Sequence, residues 1–475
     1  MSRTGPLRDI LRLSVGDLVA KTLNFLAYVY LARLVGVVDY GSLEFARAVL
    51  LYLLLFADAG LEQWAIREAA RGGDLRLLVG RVVPLRLLLA LGSFGALLAI
   101  LPLFPAGALL RTLTILYGLT MFSQAIGLKW VYMSQSRMVR VAGGLLAAQI
   151  LFSLAVFGAV RDAQRLVWVP VFQLGADLAM AAYFARMYTR DYGSLRFPFT
   201  LGGARKSLAS ALPLGLSTGL ALMNFNFDMI LLGFLAGAGA VGLYGAAYKP
   251  ISAVLAMPTT YFLGIFPALS RAYEEGEQGF RALVERSVRL TSLLALPLGV
   301  CGSFLAEPII QTLFGPAYRD AVTPLRILSW AAMLVVIRGT FRQALMATNR
   351  SGLDLRCAAT STSLNIILNL ILIPYFGMIG AAAATTVSEV VWLGAALYFF
   401  QRYVAKLSMP QLIWRPVVAS LAMAVCFWMT RSLPWLAGSL AAGITYCAVL
   451  LLTREQEMGG LITRFRASRR DAADR

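Results

Sequence analysis

Charged side chains lie inside long apolar segments of this 475-residue chain, where hydrocarbon would otherwise surround them. In VGVVDYGSLEFARAV, residues 35–49, the glycines and Asp39 are typical of a tight turn, and Glu44 and Arg47 follow within an apolar run. A charge at the centre of a bilayer costs about 2.5–3.5 kcal/mol, so such residues usually face a bundle interior or a water-filled path. Glu44 and Arg47 are three residues apart on one helical face and can partly neutralise each other. The pair is therefore either a structural ion pair or part of the lining of an aqueous path.

Five basic residues in apolar segments form a candidate cation set: Arg47, Lys129, Lys249, Arg338 and Arg342. Arg338 and Arg342 are four residues apart on one helical face, where like charges repel, so an anionic group from another helix or from a substrate should compensate them. If the five side chains converge, they form a positive cavity suited to a phosphate-bearing ligand, to which arginine offers bidentate contacts. Arg86 lies near the end of an apolar segment. The favoured interpretation is that its side chain snorkels to the membrane surface.

Five carboxylates in apolar segments form a second candidate set: Glu44, Asp58, Asp177, Asp228 and Glu389. A desolvated carboxylate can carry a proton or bind Na⁺, so these residues are candidates for coupling-ion sites or for the lining of a cavity. Asp177 and Glu389 occupy nearly corresponding places in two segments, to within about one helical turn. The alternative for each is a structural pair with one of the basic residues.

Several kinds of chemistry are missing from the sequence. Histidine is absent, which excludes histidine-based acid–base catalysis, metal ligation and pH switching. The four cysteines are scattered singly in apolar segments and are typical of small buried side chains. LGGARKS, residues 201–207, lacks the GxxxxGK[ST] spacing of a P-loop, so ATP is not expected to drive the protein directly. The sequence predicts a protein that moves a substrate and is not an enzyme, with no cofactor and no metal site.

The composition is that of a membrane protein. The chain is 59% hydrophobic and only 14% charged, with a mean hydropathy of +0.73, whereas soluble proteins carry roughly 25% charged residues. Fourteen apolar segments are long enough, or nearly so, to cross a ~30 Å hydrocarbon core as helices. The segments are 11–35, 43–64, 82–101, 108–133, 141–160, 166–188, 207–236, 241–266, 286–310, 321–347, 357–374, 379–401, 413–431 and 434–453. The predicted fold class is an all-α polytopic membrane protein with about 14 transmembrane helices.

The net charge of +19 follows the membrane topology rather than indicating a nucleic-acid partner, which we do not expect. With the N-terminus in the cytoplasm, most lysines and arginines outside the segments fall on the cytoplasmic side, as the positive-inside rule requires. Both termini are then cytoplasmic. The basic tail, residues 454–475, is expected to be attracted to anionic headgroups of membrane lipids.

A faint internal repeat relates the two halves of the chain. Three pairs of stretches match: GSLEFARA (41–48) with GLYGAAYK (242–249), MSQSRMVRVAGG (133–144) with MATNRSGLDLRC (346–357), and AAYF (181–184) with ALYF (396–399). Transporters are often built from such repeats. The repeat predicts two six-helix lobes followed by two further helices and the tail. The predicted divisions are 1–206 (spans 1–6), 207–405 (spans 7–12), 406–453 (spans 13 and 14) and 454–475.

Three stretches resemble sequence blocks of the polysaccharide transporter family. LARLVGVVDYGSLEFARAVLLYLLLFADAGLEQWAIREAAR (31–71) resembles its N-terminal signature, with a turn of the LAR-x-LG kind, a YG after it and a D-x-G-[LI] before a basic loop. VGLYGAAYKPISAVLAMPTTYFLGIFPALSRAY (241–273) and AEPIIQTLFGPAYRDAVTPLRILSW (306–330) are similar to further blocks. The resemblance extends over essentially the whole chain.

This resemblance implies a bundle like those of the MATE multidrug exporters and lipid II flippases, in the multidrug/oligosaccharidyl-lipid/polysaccharide superfamily. It implies a multi-pass O-antigen, capsule or exopolysaccharide flippase of the bacterial inner membrane. Such a protein translocates undecaprenyl-pyrophosphate-linked oligosaccharide by alternating access, driven by an ion gradient or the membrane potential. The cation set would then contact pyrophosphate or sugar. The implied partners are the lipid-linked oligosaccharide, membrane lipids and, as candidates, a glycan polymerase and a chain-length regulator.

Other functions are consistent with parts of the sequence. A Na⁺- or H⁺-coupled multidrug exporter of the same superfamily would be favoured by an acidic cavity, whereas this chain has several basic residues in its apolar segments. A membrane glycosyltransferase or polymerase of the same pathway would be expected to carry a sizeable extramembrane loop. A non-transporting scaffold is disfavoured by the scattered intramembrane charges.

Overall fold

The computed structural model describes residues 5–104, 107–195 and 201–453, so the predicted basic tail lies outside the described residues. The described residues are almost entirely helical and contain no β-strand. Short 3₁₀ helices connect some of the α-helices. The α-helices are α1 (Gly5–Val35), α2 (Val37–Asp58), α3 (Leu61–Ala70), α4 (Leu75–Ile100), α5 (Ala108–Ala125), α6 (Lys129–Ser134), α7 (Met138–Ala159), α8 (Trp168–Tyr192), α9 (Leu201–Leu235), α10 (Gly237–Glu275), α11 (Glu277–Leu313), α12 (Val322–Ala347), α13 (Ser351–Tyr403), α14 (Met409–Met429) and α15 (Trp435–Leu452).

All fourteen predicted spans fall on these helices, and the protein is a multi-pass membrane protein. Within the described part of the chain, ten helices are long and apolar enough to cross a membrane. The eleventh and twelfth predicted spans both lie in α13, whose helical backbone is interrupted at Gly377 (φ 53°, ψ −131°). The all-α polytopic fold predicted from the sequence is confirmed.

The second span differs from its predicted form at both ends. Its helix, α2, begins directly after Gly36, which has a positive φ of 81°, so Asp39 lies within the helix rather than in a turn. At the other end α2 stops at Asp58, because Ala59 adopts a left-handed conformation (φ 47°) and Gly60 follows with φ 82°. The predicted single segment 43–64 is therefore two helices, α2 and α3.

The described residues form two compact units. Unit 1 contains the described residues up to Lys249 together with Asn369–Met378, and unit 2 contains the remaining described residues. Apolar side chains from several helices form the core of each unit, since burial of apolar surface drives their packing. The unit 1 core includes Leu61, Val82, Trp130, Tyr132 and Phe184, and the unit 2 core includes Val288, Phe341, Ala344, Trp392 and Phe400.

The last two helices pack on α11 within unit 2. Buried side chains of α11, α14 and α15 form a separate apolar cluster that includes Leu293, Met423 and Leu450. The Tyr446 hydroxyl of α15 donates a hydrogen bond to the backbone carbonyl of Leu293 at 2.7 Å. Buried hydroxyl groups are normally hydrogen-bonded, and this bond ties α15 to α11.

The internal repeat is visible in the backbone of two matching turns. Ser136 and Asn349 occupy the same position of the second repeated stretch, and both are non-glycine residues with a left-handed backbone, at φ 57° and φ 58°. Each donates its N–H to the carbonyl three residues earlier, at 3.0 and 3.1 Å. The next residues, Arg137 and Arg350, each donate to the carbonyl five residues earlier, at 3.0 and 2.9 Å. The second repeated stretch therefore has the same turn geometry in both halves of the chain.

Within unit 1, α2 and the first part of α10 touch backbone to backbone. A Cβ atom added to Gly41 would lie 1.7 Å from the carbonyl oxygen of Ala238, and one added to Gly242 would lie 2.1 Å from that of Val37. Small residues permit such close approach of helices in membranes. Gly41 and Gly242 are also the matching first residues of the repeat. The crossing brings the next turn of α2, which carries Glu44, against α10.

Candidate functional site

A buried carboxylate on α2 lies between two cations in unit 1. Glu44 is 4% exposed, and its Oε1 lies 3.0 Å from Nη1 of Arg47 on the same helix and 2.9 Å from Nζ of Lys249 on α10. Arg47 Nη1 also donates to Oε2 at 3.1 Å. Because Gly245 presents no side chain to Glu44, α10 approaches closely enough for Lys249 to reach the carboxylate. The three side chains carry one more positive than negative charge.

A tyrosine from α1 completes this group. The Tyr28 ring centroid lies 4.0 Å from Cζ of Arg47 and 4.2 Å from Nζ of Lys249, so both cations interact with the ring. The Tyr28 hydroxyl is 3.3 Å from that of Tyr117 on α5. We call Tyr28, Glu44, Arg47, Tyr117 and Lys249 the Tyr28 cluster.

The Tyr28 cluster can recognise an anion. Arg47 keeps 30% of its side chain exposed and Lys249 keeps 14%, whereas Glu44 is almost fully covered. A guanidinium offers paired donors to carboxylate or phosphate oxygens, and an ammonium group adds a compact charge. Within the described residues of the cluster two cations share one carboxylate, so the exposed edges of Arg47 and Lys249 attract an anionic ligand. Neither tyrosine was among the candidates from the sequence, since an aromatic residue in an apolar span gives no signal of its own.

A second charged group in unit 1 is balanced. Arg86 Nε lies 3.0 Å from Asp58 Oδ1, and its Nη2 lies 3.4 Å from Glu62 Oε2. Lys129 Nζ lies 3.2 Å from the other oxygen of Glu62. Arg86 is 5% exposed, so the prediction that it snorkels is wrong: two carboxylates hold it inside the unit. Glu62 was missed, although its position four residues after Asp58 places the two on one helical face.

Asp58 also has a backbone role at the break between α2 and α3. Both carboxylate oxygens accept from the backbone N–H of Glu62, at 3.3 and 3.4 Å. The first N–H groups of a helix have no partner within the helix, so a side-chain acceptor at this place stabilises its start. The quartet of Asp58, Glu62, Arg86 and Lys129 thus contains two negative and two positive charges and stabilises a helix break.

In unit 2 the two arginines of the cation set pair with carboxylates on α13. Arg338 donates from Nε and Nη2 to Glu389, the latter at 3.2 Å, and the side chains are 4% and 1% exposed. The Arg338 guanidinium carbon lies 3.6 Å from the ring centroid of Trp392. Arg342 Nε lies 3.3 Å from Asp354 Oδ2. Another helix therefore supplies the anionic groups that the spacing of the arginines requires.

The Arg338–Glu389 pair gives a stability prediction. Breaking a buried ion pair on one side leaves an uncompensated charge and costs about 3–5 kcal/mol, whereas replacing both partners by apolar groups is often neutral. We expect R338M to lower the thermal unfolding temperature of the purified protein, and R338M/E389L to restore most of the loss. Thermal unfolding of the two variants and wild type in one detergent measures this. A double variant as unstable as R338M would show that the cost arises from packing on Trp392.

The two remaining carboxylates are held by neutral donors. Asp177 is 5% exposed and accepts from Nε2 of Gln124 at 3.2 Å and from Nε2 of Gln173 at 3.0 Å. Among the described residues no lysine or arginine lies within ion-pair distance of it. Asp228 is 3% exposed and accepts from the Tyr244 hydroxyl and, at 2.9 Å, from the N–H of Met229.

Sequence comparison places the chain in a family. The family model described as "Polysaccharide biosynthesis protein" matches residues 7–273. The chain belongs to this family. The resemblance to polysaccharide transporters seen in the sequence is thereby confirmed.

Two relatives illustrate this family membership. The chain is 27% identical over 314 residues to "Probable flippase AglR" of Haloferax volcanii. The alignment covers 60% of this chain and 66% of AglR, so the chain spans just under two thirds of the length of that relative. It is 20% identical over 411 residues to "Putative O-antigen transporter" of Escherichia coli (strain K12), covering 82% of this chain and 96% of the transporter.

A solved structure shares the fold of this chain. The structure described as "Lipid II flippase MurJ, inward closed conformation" aligns with a TM-score of 0.78 at 15% identity, covering 93% of this chain and 99% of that one. At this level of identity the similarity establishes the fold.

Proposed function

We propose that this chain is a flippase that moves an undecaprenyl-pyrophosphate-linked oligosaccharide from the cytoplasmic to the periplasmic leaflet of the bacterial inner membrane. The oligosaccharide is a repeat unit of O-antigen, capsule or exopolysaccharide. Transport proceeds by alternating access and is driven by an ion gradient or the membrane potential. Both termini are cytoplasmic. A glycan polymerase and a chain-length regulator are its candidate protein partners.

The observation that carries this proposal is the excess positive charge of the Tyr28 cluster. A pyrophosphate diester bears two negative charges on oxygens that suit a guanidinium and an ammonium group together. Arg47 and Lys249 bind the pyrophosphate, and Glu44 serves as their counterion when the substrate is absent. Because Glu44 already holds both cations near Tyr28, little side-chain entropy is lost when the substrate arrives.

The other three basic residues of the cation set have a structural role in this proposal. Lys129, Arg338 and Arg342 each face a carboxylate of their own unit. A cation that is matched by its own carboxylate has little net charge to offer a ligand. The binding role therefore rests with Arg47 and Lys249.

A multidrug exporter is the second candidate. Export of a cationic drug requires an acidic binding site, and the Tyr28 cluster has the opposite charge. Its two tyrosines could stack on an aromatic cation, which is the one feature that favours this alternative. The adjacent lysine and arginine repel such a ligand.

Reconstitution into vesicles tests the proposed function. Purified full-length protein is placed in vesicles with a polyprenyl-pyrophosphate-linked oligosaccharide, with the same oligosaccharide on an uncharged lipid, or with a drug-like cation. We expect protein-dependent movement of the pyrophosphate-linked form alone. Equal movement of the uncharged form would contradict recognition of pyrophosphate by the cluster. Movement of the cation alone would make the protein a drug exporter.

A further inference from the structure

The repeat places Asp177 and Glu389 in comparable positions with different partners. Both lie on the last helix of their repeat, α8 and α13. Each is bound by a side chain from the predicted span that precedes the matching turn, 108–133 or 321–347. On α12 that side chain is Arg338. On α5 it is Gln124, which stands in the corresponding place to within one residue. The second repeat therefore supplies a counterion where the first supplies a neutral amide.

This difference leaves the Asp177 carboxyl able to change its protonation state. Burial favours the neutral carboxylic acid, while two amide donors favour the carboxylate, so neither form is strongly excluded. Glu389 lacks this freedom because a buried arginine contacts both of its oxygens. A proton that binds to Asp177 requires only that one glutamine amide rotate and accept the new O–H with its carbonyl oxygen.

Among the described residues, no charged group around Asp177 lies within ion-pair distance of it. The elements packed against α8 are α5, α7 and the 3₁₀ helix at Ala163–Val167. Lys129 on α6 is also close enough for its charge to act on Asp177. Most of these groups have partners of their own: Lys129 contacts Glu62, Arg140 contacts Asp191, Arg165 contacts Asp162 and Tyr117 contacts Tyr28. Arg111 is exposed. On α8 itself, the charged residues Arg186, Arg190 and Asp191 lie more than two turns away from Asp177.

We propose that Asp177 binds and releases a proton in each transport cycle, so that the proton is the coupling ion of this flippase. This inference rests on the proposed function. Water on one side of the membrane gives a proton to a carboxylate oxygen of Asp177, and water on the other side receives it. Na⁺ is the alternative ion, because rotated glutamine amides would offer it carbonyl oxygens, and the experiment below separates the two.

One helix connects Asp177 to the substrate site. Gln124 of α5 donates to Asp177, and Tyr117, seven residues earlier on the same face of α5, contacts the Tyr28 hydroxyl with its own. Protonation of Asp177 that reorients Gln124 is therefore expected to affect the Tyr28 cluster and substrate binding, as coupled transport requires.

Three variants test the coupling. D177N is nearly isosteric and cannot be protonated, Q124R supplies the counterion found in the second repeat, and D162N is a matched control at an exposed aspartate. Full-length proteins are reconstituted with polyprenyl-pyrophosphate-linked oligosaccharide under a pH difference of about one unit, which can support about a tenfold leaflet asymmetry per proton carried. A membrane-impermeant oxidant reports the leaflet distribution of the sugar.

We expect wild type and D162N to drive the sugar away from equal distribution, and D177N and Q124R to reach equal distribution only. A response of D177N equal to that of wild type would overturn the inference, as would a wild-type response to a Na⁺ gradient and none to pH. If Q124R does not fold, the comparison of D177N with D162N still decides the question.

A second measurement separates this inference from the proposed function. Infrared difference spectra of the purified proteins between pH of about 9 and about 4 show the C=O stretch of each carboxyl that takes up a proton. We expect one component to be lost in D177N and kept in D162N. If wild type moves no oligosaccharide while this component is present, the proposed function fails and the proton site stands. Movement of oligosaccharide without the component overturns the proton site alone.

Discussion

The triple variant E44Q/R47Q/K249Q is expected to lose transport of lipid-linked oligosaccharide while remaining folded. A hydrogen bond to a charged group contributes about 1.5–3 kcal/mol. Loss of the contacts from both cations should therefore weaken pyrophosphate binding by about 3–6 kcal/mol, which is about 100-fold or more. The flipping rate at a substrate concentration below saturation measures this loss.

The triple variant is designed to separate charge from folding. Removing Arg47 and Lys249 alone would leave Glu44 buried without a counterion, and that carboxylate would destabilise unit 1. Neutralising all three removes the charges together and keeps the side chains similar in size. E44Q is the companion variant, since it keeps both cations and loses their internal counterion, and its stability should fall for the same reason.

The companion variant has its own expected outcome. E44Q should flip the substrate at a rate comparable to that of wild type or bind it more tightly, because the pyrophosphate no longer competes with a carboxylate. Flipping is measured at a temperature below the thermal unfolding temperature of every variant and at equal protein content per vesicle. Wild-type flipping by the triple variant would show that the Tyr28 cluster is not the pyrophosphate site.

The elements of the fold could be predicted from the sequence because their signals are local. Apolar length identifies a membrane helix without knowledge of its neighbours, and the matching stretches around Met133 and Met346 revealed the repeat. The left-handed residues Ser136 and Asn349 within those stretches gave no such signal. Their conformation follows from how each turn closes its hydrogen bonds.

The site was predictable only as a list of charges. Glu44 and Arg47 could be paired from their spacing, because residues three apart share a helical face. Lys249 could not be assigned to Glu44, since α10 is distant in sequence and two basic side chains of unit 2 were equally plausible partners. Arg338 and Glu389 were placed in different sets for the same reason. Such pairings depend on tertiary contacts that no spacing rule contains.

Two glycines before Glu44 are required for different physical reasons. Gly36 breaks the chain through its positive φ, and Gly41 lies inside α2, where a neighbouring backbone leaves no room for a Cβ. In the sequence both are typical of the same tight turn. Only the packing of α2 on α10 distinguishes a glycine required by its own backbone from one required by its neighbour.

This close packing leads to the second large expected effect, that of G41A. Its Cβ would lie 1.7 Å from the carbonyl oxygen of Ala238, a backbone atom that cannot rotate away. The two helices would have to separate. Overpacking costs about 1–3 kcal/mol where side chains can adjust, and a backbone contact should exceed that range. We expect a clear fall in the thermal unfolding temperature and in the yield of folded protein.

Two other glycine-to-alanine variants provide matched controls, for which no loss of stability is expected. Gly92 on α4 has no atom within 4 Å of an added Cβ, and Gly239 on α10 has only Cγ2 of Val38 at 3.8 Å. Alanine favours a helix over glycine by about 1 kcal/mol, so G92A and G239A should leave stability unchanged or raise it. Equal behaviour of the three variants would contradict a steric role for Gly41.

The same variant also tests how the substrate site is assembled. Glu44 lies one turn beyond Gly41, and Lys249 lies two turns beyond Gly242, so the crossing sets the distance between their side chains. Separation of α2 from α10 should lengthen the 2.9 Å contact between Lys249 and Glu44 and weaken flipping even in the fraction of G41A that folds. If that fraction flips at the wild-type rate, the cluster does not depend on the crossing, and its side-chain contacts with Glu44 and Tyr28 are sufficient to hold the two cations together.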